Sequence, residues 1–201
     1  MDKFNEFLAS SHLQIGFKKN LGCAPGLFLM QNTVDYFTSK NTPVYIATVN
    51  ASKAFDRVDH KILFQKLVIR GAPRCFVGGL RSWYGKLVSS VRWNGVFSAD
   101  FCVNCGVRQV GILSPLLFNV YVDELIDSLS DSGFGCYIGS QFFGCIMYAD
   151  DLIMLSPSLK GLQSMFNICD AYAKTHFLIF NAKKPCQCTF ISKSATCYVD
   201  G

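Results

Sequence analysis

The chain has 201 residues and a mass of 22.3 kDa, with half of its residues apolar and 16% charged, against roughly 25% charged in ordinary soluble domains. That composition excludes a disordered tail or linker and leaves enough chain to bury a hydrophobic core. Nineteen Lys and Arg against fourteen Asp and Glu give a net charge of +5, which favours an anionic partner without identifying it. No apolar run approaches the roughly 18–20 residues of a membrane helix, and no signal-peptide core follows the first residues. An intracellular globular chain without a membrane partner is expected. The ten cysteines, at 23, 75, 102, 105, 136, 145, 169, 186, 188 and 197, then read mainly as free, buried thiols. A zinc site is disfavoured, because Cys102/Cys105 and Cys186/Cys188 lie in apolar, strand-like stretches and only three histidines are present.

From the N-terminus, Pro25 opens a stretch with Leu27, Met30, Val34 and Phe37 at helical spacing, predicting a helix to about Ser39. Residues 44–49 (VYIATV) predict a buried strand, and residues 60–69 (HKILFQKLVI) a helix that stops at Gly71. Residues 88–93, the pair Asn94-Gly95 and residues 96–103 read as a β-hairpin with a primed turn. Ser114-Pro115 starts a helix carrying Leu117, Val120, Tyr121, Leu125 and Leu129. Residues 142–147 and 152–155 are apolar strands on either side of Tyr148-Ala149-Asp150-Asp151. A last helix carries Leu159, Leu162, Phe166, Cys169 and Ala173, and residues 188–192 form a final strand. Helices alternating with hairpins predict an α+β fold on an antiparallel sheet.

Asp150 and Asp151 interrupt an otherwise apolar run, and a buried, unpaired carboxylate is expensive. Two readings follow from this window: a solvated hairpin tip, or a pair of acids holding divalent cations whose charge relieves their mutual repulsion. Arg81, Lys86 and Arg92 beside Trp83, Tyr84 and Trp93 suit phosphate neutralisation and base stacking, although aromatic packing under the hairpin explains the same residues.

Tyr148-Ala149-Asp150-Asp151 resembles the catalytic hairpin of reverse transcriptases, and four further segments resemble those of non-LTR retrotransposon polymerases in the same order. They are residues 14–18 (QIGFK), 51–60 (ASKAFDRVDH), 106–119 (GVRQVGILSPLLFN) and 180–184 (FNAKK). The resemblance implies the palm of a right-hand polymerase, an antiparallel sheet with helices, plus part of the fingers. It also implies a single fingers/palm domain over residues 1–201, truncated on its C-terminal side, with the thumb and an endonuclease absent. The implied reaction is transfer of a nucleotidyl group from dNTP to a primer 3′-hydroxyl on an RNA template, with two Mg²⁺ ions, or Mn²⁺, held by three aspartates.

Residue by residue, the resemblance places Asp150 and Asp151 on two of the metal positions and Asn50 on the third. An amide brings no negative charge there. Asp56 and Asp59 lie past the end of the strand and are poor substitutes. Phe55 falls on the aromatic gate against a ribose 2′-hydroxyl, with core packing as its other reading. Arg108, Gln109 and Tyr148 fall on the nucleotide-binding set, as does Lys18, where an arginine would contact triphosphate. Lys184 matches a lysine implied to protonate pyrophosphate, or is an ordinary surface lysine. Val110 replaces a glycine, bringing a β-branched side chain where close backbone approach is implied. Asn50 and Val110 together predict an impaired polymerase, with a catalytically inactive RNA- or hybrid-binding module or a degenerate remnant as the alternatives. Nuclear or cytoplasmic residence follows from the resemblance alone.

Overall fold

The computed structural model describes residues 5–18, 21–108, 111–180, 188–192 and 195–199. In chain order its elements are α1 (Asn5–Leu8), α2 (Cys23–Ser39), β1 (Val44–Asn50), a 3₁₀ turn (Ala54–Arg57), α3 (His60–Ile69) and α4 (Arg74–Tyr84). Then come the short strands β2 (Val88–Ser89), β3 (Arg92–Trp93), β4 (Val96–Phe97) and β5 (Phe101–Cys102), followed by α5 (Ser114–Asp131). The remainder is β6 (Tyr137–Ile138), β7 (Gln141–Phe142), β8 (Cys145–Tyr148), β9 (Asp151–Ser156), α6 (Leu159–Thr175), β10 (Cys188–Ser192) and β11 (Ala195–Val199). The chain divides into two compact units. One comprises Met1–Ala9 with Phe55–Tyr121, the other Ser10–Ala54 with Val122–Gly201.

The second unit is built on an antiparallel five-stranded sheet in the order β11-β10-β1-β9-β8. β1 and β9 lie inside the sheet, and their β-branched and long apolar residues alternate between its faces. On one face Val44 and Ile46 of β1 join Ile153 and Leu155 of β9 against Leu29, Met30, Val34 and Phe37 of α2. On the other, Met154 of β9 meets Cys169 of α6, sulfur to sulfur at 3.7 Å. Covering both faces leaves the end of the sheet that carries Asn50 and Asp151 for polar chemistry, since the two residues pair directly at the end of the β1–β9 ladder.

The first unit packs α3 and α4 by their apolar stripes, Leu63, Phe64 and Leu67 with Val77, Leu80 and Tyr84. Asp59 caps α3, its carboxylate accepting from the Ile62 N–H at 2.9 Å. After α4 the chain rises into a two-part ribbon, β2 on β5 and β3 on β4, and every residue of those four strands is exposed. Asn94 (φ +47°) and Gly95 (φ +82°) make the primed turn anticipated for this pair.

The structure departs from the sequence reading at several elements. α4 was not anticipated, because Gly78 and Gly79 at its centre depress helix propensity, and tertiary burial of Val77, Leu80 and Tyr84 overrides them. α2 begins at Cys23 rather than Pro25; the proline sits in the first turn, where an N–H has no partner in any case. The run 142–147 is two strands rather than one, broken at Gly144, where a Cβ would meet the Phe142 ring and stand 3.0 Å from the Cys136 nitrogen. The thiols also differ: among the described cysteines, Cys23, Cys75, Cys102 and Cys105 are exposed, and Cys136, Cys145 and Cys169 are buried. Among the described residues no helix is long and apolar enough to cross a membrane.

Candidate functional site

β8 and β9 are joined by two residues, Ala149 and Asp150, and Ala149 takes φ +56°, a left-handed conformation that costs a non-glycine residue energy. The turn is held from behind by Gln14, which is fully buried. Its Oε1 accepts from the N–H of Gly16 (2.9 Å) and of Ala149 (3.3 Å), while Nε2 donates to the Ala149 carbonyl at 3.4 Å. A Cβ on Gly16 would lie 2.4 Å from the Ala149 nitrogen, so only glycine lets the two backbones meet. The segment around Gln14 also pairs with β8, Ile15 donating to Met147 (2.8 Å) and Met147 to Leu13 (2.9 Å). Gln14 and Gly16 are thus positioning residues for the acidic turn. The sequence presented them as part of a motif; only the parallel bridge between Gln14 and Met147 shows what they hold.

Asn50 ends β1 opposite Asp151. Its Nδ2 donates to Asp151 Oδ1 at 2.6 Å and reaches Asp150 Oδ2 at 3.4 Å. The Ala51 N–H donates to the Asp150 carbonyl at 3.3 Å. Asn50, Asp150 and Asp151 therefore converge, with the amide hydrogens directed at the two carboxylates. The amide nitrogen of Asn50 carries two hydrogens and no charge, so one atom can donate toward both acids. Here it partly offsets the like-charge repulsion of the acid pair, the task a divalent cation would otherwise perform. Two carboxylates and a donating amide do not fit a two-ion centre. Among the described residues no cluster of three His, Cys, Asp or Glu side chains could hold a metal ion. Asp59 is occupied as the cap of α3, and Asp56 lines a separate cavity of the first unit.

Tyr148, 39% exposed, pairs with Asp151 across the hairpin. It borders an apolar cavity of about 210 Å³ formed with Ile15, Leu27, Ile146, Ile153 and the exposed thiol of Cys23. Lys18 turns inward: its ammonium donates to the carbonyls of Ser10 (2.9 Å) and Ser11 (2.6 Å), and the Ser11 N–H donates to the Asp123 carboxylate at 2.7 Å. Burial lowers the Lys18 pKa, and the negative charge of Asp123 opposes that shift. In the first unit, Phe55 stacks on Phe118, ring centres 4.6 Å apart and planes 15° from parallel. Arg108 is exposed on a cavity of about 380 Å³ that includes Asp56, Leu87, Val88 and Gly106. His60 bonds the Gly106 carbonyl at 2.8 Å and packs on Tyr84, a structural role. Gln109, Val110 and Lys184 lie outside the described residues.

A family model described as reverse transcriptase (RNA-dependent DNA polymerase) matches residues 3–197. The chain is 31% identical over 154 residues to the Retrovirus-related Pol polyprotein from type-2 retrotransposable element R2DM of Drosophila melanogaster, a match covering 77% of this chain and 14% of that one. It is 24% identical over 186 residues to the Pol polyprotein of a type-1 retrotransposable element R2 from Popillia japonica, covering 92% of this chain and 26% of the other. The chain thus spans about a seventh to a quarter of these relatives. Among solved structures, telomerase from Candida albicans bound to a fragment of telomeric RNA superposes with a TM-score of 0.68 at 12% identity, over 98% of this chain and 33% of that one. Telomerase from Candida tropicalis, also bound to a telomeric RNA fragment, gives 0.69 at 11% identity, over 99% and 32%. At such identities the likeness is one of fold, a palm with part of the fingers.

Proposed function

The chain belongs to the reverse transcriptase (RNA-dependent DNA polymerase) family, in its non-LTR retrotransposon branch, and on that premise we propose that it is the fingers and palm part of a retroelement polymerase whose nucleotidyl transfer is impaired. The intended partners are an RNA template, a DNA primer and dNTP. The observation that carries the impairment is the 2.6 Å bond from Asn50 Nδ2 to Asp151 Oδ1. In a family that works with divalent metal ions, this side chain satisfies the acids internally instead of adding a third negative ligand. A cation entering between them must displace the amide hydrogens and meets two formal charges rather than three.

Primer extension on an RNA template with Mg²⁺ or Mn²⁺ tests this, comparing the chain as it stands with Asn50→Asp and with Asn50→Asp/Val110→Gly. The aspartate should raise extension by at least about tenfold, since each tenfold corresponds to only about 1.4 kcal/mol of transition-state stabilisation. Extension by the unaltered chain equal to that of Asn50→Asp sinks the proposal. A second reading is a module that holds RNA or a hybrid without chemistry; the same amide-for-acid exchange favours it, and tight template-primer binding without extension by any of the three proteins would establish it.

A further inference from the structure

The chain's charge is unevenly spread. Residues 60–108 hold eight of the nineteen lysines and arginines but one of the fourteen acids, Asp100, so this stretch carries +7 and the rest of the chain −2. The same stretch contains the ribbon β2–β5, whose strands are exposed on both faces. Trp93 is 76% exposed, Val96 71% and Phe97 63%. A hairpin with no face against a core is marginal by itself, and so large a set of uncovered apolar side chains marks an interaction site. The charge selects the partner. Exposed Arg92 stands on β3 beside the aromatic tip, and exposed Arg81 and Lys86 lie at and just after the end of α4, at the base of the ribbon; such a field attracts a polyanion.

The geometry of the tip narrows the partner further. Trp93 pairs with Val96 across the ribbon and Arg92 with Phe97, so Trp93 puts a flat ring on one face and Phe97, opposite Arg92, a ring on the other. Arg92 lies over the Phe97 ring, 5.6 Å from its centre, which pre-orients a planar guanidinium for phosphate or base. A ring standing free in solvent can be covered by a base only if that base is unstacked, as in a single strand; a duplex offers only phosphates to the same surface. Trp83, at the end of α4 and 43% exposed, adds a second ring at the base of the ribbon.

We propose that the ribbon β2–β5 and the end of α4 form a docking surface for single-stranded nucleic acid, with Trp93 as the stacking platform and Arg81, Lys86 and Arg92 as phosphate contacts. This deepens the polymerase reading and rests on it only for the biological source of the strand.

The chain supplies its own probe, because Trp83 and Trp93 are its only tryptophans and both lie on this surface. Titration with an unstructured single-stranded RNA should quench tryptophan emission, and Trp93→Phe should remove most of the signal. Trp93→Ala should weaken binding by about five- to a hundredfold, the range for one base–aromatic stack. Arg92→Gln should lower the slope of log affinity against log salt by about 0.7, one single-strand phosphate contact. These exposed side chains support no core, and unchanged circular dichroism of both variants confirms that they fold. Binding with normal affinity in Trp93→Ala and an unchanged slope in Arg92→Gln would overturn the surface while leaving the polymerase reading intact. Absence of any RNA or template-primer binding would overturn both. An emission change that follows protein concentration rather than RNA would assign the ribbon to self-association and likewise reject the proposal.

Discussion

At the scale of single residues, the acidic turn depends on groups that carry no charge. Ala149 occupies a left-handed conformation because Gln14 bonds both its N–H and its carbonyl, and because Gly16 leaves room for its nitrogen. Gln14→Leu fills a similar volume but leaves the buried N–H groups of Gly16 and Ala149 without their acceptor. A loss of about 1–3 kcal/mol per unsatisfied group is expected in urea unfolding, together with loss of any residual extension by Asn50→Asp. Gly16→Ala should be at least as harmful, since its Cβ meets backbone rather than a flexible side chain. Stability of Gln14→Leu within 0.5 kcal/mol of the parent, roughly the range of a neutral surface change, would show the clamp to be dispensable. The acids and Asn50 were legible in the sequence because five motifs stand in order, and a missing charge is visible in a string of letters. The clamp was not, because a glutamine 135 residues from its partner gives no local sign of the bridge that brings them together. The inward turn of Lys18 toward the Ser10 and Ser11 carbonyls was not legible for a related reason: the same Ser11 donates its N–H to Asp123, far along the chain.

At the scale of elements, periodicity served well where the helix or strand also had a boundary signal. α3 begins at the Asp59 cap and ends before Gly71, and α6 begins at Ser158, whose hydroxyl accepts from the Gly161 N–H at 3.0 Å. α4 has neither a side-chain cap nor a glycine-free interior, so its helical state comes from burial, which propensity does not contain. Caps therefore offer a test. Ser158→Ala should cost about 1 kcal/mol by chemical denaturation. Gly22, which precedes α2 in an extended conformation with no side-chain cap, has open space where a Cβ would stand. Gly22→Ser should accordingly stabilise by roughly 0.5–1 kcal/mol, from the added acceptor and from a stiffer unfolded chain. Opposite signs for the two substitutions are the expected result; a destabilising Gly22→Ser would mean that the entry to α2 needs glycine for another reason.

At the scale of the whole molecule, the apolar half of the composition is used in two cores, one per unit, and is also left on the surface, with Phe28, Ile69 and Ile112 between 70% and 83% exposed. The buried portion includes groups that ionise at alkaline pH. Burial pushes the Tyr121 hydroxyl up from 10 to about 12, aided by the charge of Asp59 and opposed by the Asp59 N–H that donates to it. Burial likewise pushes the Cys136 thiol from 9 to about 12 and raises Cys145. In each case the folded state holds the proton more tightly than the unfolded one. The resulting stability is complete below the unfolded pKa and is lost as pH rises through the window toward the folded value. Lys18 acts in the opposite sense: its lowered pKa makes its charged form a liability that is relieved as pH approaches 10.5 from below. Burial raises the Tyr84 and Tyr137 hydroxyls in the same sense, and five groups against one predict that unfolding free energy, measured in urea, declines from about pH 9 for the thiols and steepens above pH 10 as the phenols join them. Tyr121 alone accounts for roughly 2–3 kcal/mol across its window, at about 1.4 kcal/mol per pKa unit. Tyr121→Phe should be weaker at pH 8 by about 1 kcal/mol, having lost the acceptor for the Asp59 N–H, yet lose less stability between pH 10 and 11.5. A flat profile from pH 8 to 11.5 in the parent chain, or parallel profiles for parent and Tyr121→Phe, would mean that these groups meet water more freely than their burial implies.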